Sequence, residues 1–433
     1  MGRQPREGGD SMGNARRTVA IVAAGLLLSA CGSSDPGSDA SASATTSTAP
    51  SATASILIWS DPAHAPALEA SAVAHQQATG VEVVVQTIGT DLSRIRDDIT
   101  TLAPQGQGPD LFVGQSDWVG RLADFSLLAA VDLTSQSSRF RPVAIDGFTY
   151  EARTYGVPFA TENLALFRNT QLAPEPPDSI DVMARDGLEL KDKDATIVPI
   201  ALPGGPQGDA YHWYPLYSAA GGKIFGLDAQ GGYSADELEV GNAGSIEAAR
   251  ALAQLTEDGA LDTDLTLDEA LTTFTAGRTP FFISGPWSLE AVRESGVPFV
   301  VESVPGFDAI LASRSQAMVT SIGLLQSAFA RNPAGAQEYL ATTAQTTEVM
   351  SALAAPGELS PAWVDSYTAA GTDPVITGFG DFADASEPTP NLAQMDLVWA
   401  PLSQAQVDVM SGANPARTMR AAGQEIRAAI DAG

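Results

Sequence analysis

The sequence predicts an α/β protein whose folded part is shared between two lobes, and three features carry that expectation. Residues 55–60, 66–78 and 81–85 read as strand, helix and strand in succession, the opening of a mostly parallel α/β layer. A second set of strand and helix patterns begins after Val157, Pro158 and Phe159. At roughly 150 residues per domain, a chain of 433 residues has room for two or three such units. No self-similarity recurs along the chain, which removes a solenoid.

The elements follow in order. Ile56, Leu57, Ile58 and Trp59 are a short apolar run of the kind a buried strand needs, and Val81, Val83, Val84 and Val85 are another. Helices are expected at 91–102 and 116–124, separated by the turn at 106–109 and a third strand at 110–113. The second set comprises strands at 164–167 and 196–200 and helices at 211–220, 244–257 and 267–276. Residues 262–269 alternate Asp, Thr and Leu but lack the glycine an EF-hand loop needs at its sixth position, so they read as a helix start. Gly204, Gly205 and Gly208 read as a turn, not a phosphate cradle.

The N-terminus reads as an address and an anchor. Arg16 and Arg17 precede an apolar run from Val19 to Leu28, followed by Ser29 and Ala30: the charged, apolar, small-residue order of a secretory leader covering residues 1–30. That run is too short to span a bilayer. Leu28, Ser29, Ala30 and the chain's one cysteine, Cys31, resemble the lipobox of bacterial lipoproteins, which implies a diacylated Cys31 at the mature N-terminus. A start at Met12 gives a leader without Glu7 and Asp10, and the arginine pair leaves both Sec and twin-arginine export open. Residues 32–55 are almost entirely Gly, Ser, Ala, Thr, Asp and Pro, which cannot bury enough apolar surface to order themselves. They read as a tether with an average reach of roughly 25–30 Å.

Composition removes whole classes of function. Lys and Arg number 23 against 52 Asp and Glu, a net charge of −29 that repels phosphate backbones, so no nucleic-acid partner is expected. The leader holds four arginines and two acids, so the secreted portion is more acidic still. One cysteine and three histidines exclude an internal disulfide and a thiolate zinc site, and no metal or cofactor is expected. No apolar segment is long enough for a multispanning membrane protein. Gly-x-Ser-x-Gly, Walker and Gly-x-Gly-x-x-Gly motifs are all missing.

Several blocks, in order and spacing, resemble the extracellular solute-binding proteins of carbohydrate ABC importers, the maltose/maltodextrin type above all. They are Ile56 to Trp59, Gly80 to Val85, Gly108 to Phe112, Tyr155 to Asn169, Tyr211 to Leu216 with Gly221 and Gly222, Phe274 to Gly277, Ser284 to Trp287, and Pro390 to Trp399. The resemblance covers nearly all of 55–433. It implies the type II periplasmic-binding-protein arrangement: two discontinuous α/β lobes, joined by three crossovers, with the ligand in the cleft between them. Lobe one would be 56–160 plus 306–356 and lobe two 161–305 plus 357–433, with 171–195 a surface excursion. Pro305 and Gly306, and Pro356 and Gly357, are then places for backbone rotation as the cleft closes. The resemblance further implies a monomer, an oligosaccharide ligand and the permease subunits of an importer as partners.

A neutral sugar needs planar acceptors for its hydroxyls and aromatic faces against its C–H surfaces. By resemblance, Trp287, Trp399 and Tyr211 are the stacking aromatics, although Trp213 or Tyr214 could take the place of Tyr211, and either tryptophan could be ordinary core. Glu162 matches an acceptor at the first crossover, or is a surface or capping carboxylate. Asp61 and Asp117 match acidic positions after the first and third strands, where ligands of α/β sheets bind, and could equally cap helices. Trp118 stands where maltodextrin binders carry arginine, and family contacts at 86–90 are missing, so the sugar's identity stays open. A secreted glycoside hydrolase is the alternative from another class, requiring two tuned carboxyls in place of simple acceptors. A polyamine or peptide is the alternative ligand.

Overall fold

In the computed structural model, residues 55–308, 310 and 313–432 are described. The leader, Cys31 and residues 32–54 lie outside the described residues. Two sheets carry the fold. The chain enters the first through Ile56–Ser60 (β1), Val83–Thr87 (β2), Leu111–Gln115 (β3) and Gly156–Glu162 (β4). It crosses to the second with Ala165–Asn169 (β5), Ile200–Ala201 (β6), Phe281–Ser284 (β7) and Phe299–Glu302 (β8). Met318–Ser327 (β9) returns to the first sheet, which Ser360–Pro361 (β10) and Glu387–Pro388 (β11) then extend. The order is β10-β4-β9-β3-β1-β2 in the first, with β11 beside the start of β9, and β8-β5-β7-β6 in the second.

Parallel pairing holds for β2, β1 and β3, for β7 with β6 and for β9 with β11. β9 runs antiparallel to both β3 and β4, and β5 runs antiparallel to both β7 and β8. Parallel pairing is enforced by a helical crossover within one sheet, and β9 arrives from the other sheet, so nothing imposes that direction on it. All ten residues of β9 are buried, as befits a strand covered on both faces.

Period-two alternation sorts the first sheet's side chains into two cores. Ile56, Ile58, Leu111 and Val113 join Val157, Phe159 and Trp363 on one face, while Trp59, Phe112 and Leu325 meet Trp118 and Phe148 on the other. A third core, around Leu166, Phe167, Phe274, Phe281 and Phe282, belongs to the second sheet.

Helix ends are set by local chemistry. Asp91 caps Leu92–Leu102, Asn242 caps Ala243–Glu257, and Thr266 with Glu269 forms a reciprocal capping box at Leu267–Thr275, the helix start expected at 262–269. The stretch 171–195 is not a featureless excursion. It holds Ile180–Lys193, capped by Ser179, which buries Ile180, Met183, Ala184 and Gly187. Its apolar positions are interrupted by charges on nearly every turn, which hides the helical period in the sequence.

The structure differs from the expected lobe boundaries at two places. Val304, Phe307 and Ala317 stay in the second sheet's core, and Ser313 and Ser315 donate to the carbonyls of Ala219 and Pro215, so the first sheet resumes at Met318 and not at 306. Gly306 is wedged there: a Cβ on it would lie 2.5 Å from the Ser313 carbonyl. At the third crossing β10 pairs with β4 and Trp363 packs in a first-sheet core, so that sheet keeps the chain past 357. Gly357 has φ +73°, a left-handed turn that suits glycine. β11 then pairs with Met318 and Val319, and Arg141 ties Thr161 and Ser360 to Gly380 and Asp384. Crossings and ties together make the described residues one compact unit.

Candidate functional site

Two carboxyls are set by strand ends. Glu162 is the last residue of β4 and pairs with Thr320 of β9. On the other side of β9, β3 runs out into the single turn Ser116–Trp118, which carries Asp117, and the backbone of Ser321 donates to the Ser116 hydroxyl to hold that turn. The two acids thus flank one strand. Asp117 Oδ1 is closed off from solvent without a hydrogen-bond partner, and Glu162 enters no ion pair or side-chain hydrogen bond among the described residues. Burial pushes the Asp117 carboxyl up to about 6; the charge of Asp396 adds to that and Arg96 opposes it. Burial, then the Asp117 charge, pushes Glu162 up to about 7.

Three aromatic rings converge from three distant segments. Tyr211 sits in the first turn of Ala210–Ala219, Trp287 in the turn Pro286–Ser288 after β7, and Trp399 at the start of Trp399–Met410. The Tyr211 ring centroid lies 6.2 Å from that of Trp287 and 6.3 Å from that of Trp399. Gly285 permits the Trp287 pose, since a Cβ there would lie 2.2 Å from its ring. Trp287 is 43% exposed, an indole left open. Burial first, then the charges of Glu162, Asp117 and Asp209, holds the Tyr211 phenol well above its usual range, so it remains a donor. Through those charges the acids act on the tyrosine, which links the two sets of residues.

A further pair supports the rings. Asp209 caps Ala210–Ala219 by accepting from the backbone of His212, and its other oxygen lies 2.7 Å from His212 Nδ1. Burial works against the charge of Asp209, but these hydrogen bonds hold its carboxyl below the usual range. The His212 ring stands edge-on to Tyr211 and to Trp287, at 5.7 and 5.9 Å.

The profile of the bacterial extracellular solute-binding proteins matches residues 70–375. The chain belongs to that family. Across 95% of its length it is 24% identical to the galactooligosaccharide-binding protein of Bacillus subtilis strain 168, of which it covers 96%. It is 24% identical to a maltooligosaccharide ABC transporter solute-binding lipoprotein of Streptococcus pneumoniae strain R6, over 92% of each chain. A crystal structure of a cyclo/maltodextrin-binding protein complexed with maltotetraose superposes with a TM-score of 0.78 at 21% identity, covering 87% of this chain and 97% of that one. The fold is therefore the two-lobed type II form of periplasmic binding proteins.

Within this solute-binding frame the expected residues divide. Tyr211, Trp287 and Trp399 come together, and Glu162 and Asp117 act on Tyr211 by charge. Asp61 and Trp118 are engaged within the protein. Asp61 is 6% exposed, with one oxygen 2.6 Å from His64 Nδ1 and the other accepting from Ala63, so it organises the start of Ala65–Thr79. Trp118 is 4% exposed and packs in a first-sheet core against Gly114, because the turn carrying Asp117 outward sends the next side chain inward. Trp213 and Tyr214, the alternatives to Tyr211, are buried in the second sheet's core. Sequence reasoning passed over Asp209, His212 and Asp396. The first two were detectable as an Asp three residues before a His at a helix start, a spacing repeated at Asp61 and His64. Asp396 belongs to the Pro390 to Trp399 block, and only folding brings it toward Asp117. Among the described residues no group of side chains could hold a metal ion, and no helix is long and apolar enough to cross a membrane.

Proposed function

We propose that this solute-binding protein captures a maltodextrin-type oligosaccharide between its lobes and delivers it to the permease of an ABC importer. The observation that carries the reading is the meeting of Tyr211, Trp287 and Trp399, coupled by charge to two carboxyls that enter no ion pair among the described residues. Rings offer flat apolar area to sugar C–H faces, and unpaired carboxylates accept from sugar hydroxyls. Relatives named for maltooligosaccharide and galactooligosaccharide binding support the same ligand class. A ligand that touches both lobes binds the closed form better than the open one and shifts the protein toward it; hinge closure in periplasmic binding proteins is a general example of such a transition.

The test is calorimetry and thermal shift with maltotriose, maltotetraose and a galactooligosaccharide, with the sugar recovered afterwards. Tight binding with a raised melting temperature and unchanged sugar is the expected result. Release of reducing ends turns the reading into a glycoside hydrolase, for which the two raised carboxyls are the specific attraction. Absence of binding to any oligosaccharide rejects it. Anchoring is tested separately: the proposed lipid on Cys31 predicts that Cys31→Ser abolishes fatty-acid labelling and membrane partition, and a labelled, membrane-bound mutant rejects the lipoprotein reading.

A further inference from the structure

The chemistry of the acid pair reaches beyond a neutral sugar. Asp117 and Glu162 sit where a ligand is taken up, and neither is in an ion pair among the described residues. Other charged groups nearby are spoken for. Arg96 holds its guanidinium 6.0 Å over the Trp118 ring with its Nε 3.8 Å from Asp97. Arg121 is paired with Asp396 at 2.7 Å, and Asp209 with His212. No lysine takes part in any of these contacts. Tyr211, Trp287 and Trp399 stand together there, and ring faces attract cations.

A site with two carboxyls outside any ion pair among the described residues and an open ring face matches a carbohydrate that brings its own positive charge. The geometry points to an amino sugar as a ligand of this site: an oligosaccharide in which an ammonium group replaces one hydroxyl and sits between Asp117 and Glu162 while the rings stack on the neighbouring units. The inference rests on the carbohydrate-binding reading above and narrows it. An ammonium supplies three donors and a charge where a hydroxyl supplies one donor and none, so it answers both carboxyls at once. The aromatic trio keeps the ligand a sugar, because a linear amine offers those faces no flat C–H surface. Burial is the first cause of the raised Asp117 and Glu162 carboxyls, and a bound ammonium would oppose that rise.

Matched ligands test this. Cellotriose and the glucosamine trimer differ only by ammonium for hydroxyl at each C2; maltotriose and maltotriose with a 6-amino group form a second pair with α-linkages. Calorimetry at pH 7.5 on the wild type is expected to give at least tenfold tighter binding of the amine in one pair or both. Asp117→Asn and Glu162→Gln each reduce that ratio to about two or below. Glu425→Gln, which removes one exposed acid on the distant C-terminal helix, keeps it, separating the site from the general field of an acidic protein. Lowering the pH to 5.5 reduces the preference. Ratios at or below one in both pairs overturn the inference while leaving the oligosaccharide reading intact if maltotriose binds. A preference that persists in the double mutant overturns it as well, since the charge then comes from elsewhere. Spermidine binding as tightly as the amino sugars replaces it with a plain polyamine site. If none of these ligands binds, the oligosaccharide reading itself has failed.

Discussion

The two lobes bring opposite chemistry to the same place. The first sheet ends in carboxyls, Asp117 and Glu162, on either side of β9; the second lobe contributes the rings of Tyr211, Trp287 and Trp399. The contrast teaches a division of labour. Rings supply affinity through area and tolerate many sugars, whereas acceptors at fixed strand ends choose among them through hydroxyls and charge. On the proposed reading neither half suffices for closure, because a ligand held by one lobe alone leaves the ratio of open to closed forms unchanged.

The largest effect is expected where the halves are joined. Arg141 is 4% exposed and donates to the Thr161 and Ser360 hydroxyls, the Pro361 and Gly380 carbonyls and the Asp384 carboxylate, so one guanidinium ties both strands at the crossing to the helix Pro374–Asp384. Arg141→Ala leaves those acceptors without their donor and costs about 3 kcal/mol. Urea denaturation checks it, and a change below about 1 kcal/mol would show that the lobes are held by packing alone.

Next comes the aromatic half. Stacking that buries roughly 80–100 Å² is worth about 2 kcal/mol at ~25 cal/mol per Å², so Trp399→Ala or Trp287→Ala weakens oligosaccharide binding about 30-fold. Trp287 is open enough that its loss leaves the melting temperature of the free protein nearly unchanged. A folded mutant with wild-type affinity by calorimetry returns that tryptophan to a packing role.

These rings show what the sequence made legible. Trp287 was readable because Gly285 and Pro286 leave few poses for the side chain after an apolar strand, and the structure adds that the ring lies over Gly285 itself. β1, β2 and β3 were readable because short apolar and β-branched runs are local signals. The settings of Trp118 and Asp61 were hidden for the opposite reason. Which neighbour in a one-turn segment faces inward depends on Gly114 and the core beneath it, and whether an Asp after a strand meets a ligand or a His depends on His64, three residues on. The direction of β9 and the tie at Arg141 join residues far apart in the chain, and no local pattern announces them.

The acid half predicts a pH response of intermediate size. In the fold, Asp117 titrates at about 6 and Glu162 at about 7, both above the ordinary range, so the folded state holds more protons than the unfolded chain between about pH 4 and 7. Stability from these two groups therefore falls as pH rises through that window. Sugar hydroxyls that donate to them favour the ionised forms, so affinity for a neutral oligosaccharide runs the other way, rising about tenfold from pH 5.5 to 7.5. Calorimetry in buffers of different ionisation enthalpy should detect protons released on binding, and Glu162→Gln should flatten the profile. Affinity that rises on acidification instead would mean that a protonated carboxyl donates to the sugar.

The smallest effect is expected where the contrast is bridged at the surface. Arg121 of Val119–Asp124 reaches Asp396 of the turn Ala393–Leu397 at 2.7 Å, joining the short helix beside the acid half to the turn that leads to Trp399. The partners are 48% and 52% exposed, so water screens the pair and Arg121→Ala changes affinity by less than about threefold. Beneath it lies a firmer contact: the Gly120 amide donates to the Asn391 carbonyl at 2.9 Å, and the Asn391 side chain donates to the carbonyls of Gly147 and Thr149. A Cβ on Gly120 would lie 2.0 Å from that carbonyl oxygen. Gly120→Ala must push the two segments apart, carrying Trp399 away from Asp117, and its loss of affinity should exceed that of Arg121→Ala at every salt concentration. Measuring both variants by calorimetry in low and high salt decides which contact holds the halves in register. If Arg121→Ala is the more damaging and the damage disappears at high salt, the halves are aligned by charge across the surface and the buried backbone contact is incidental.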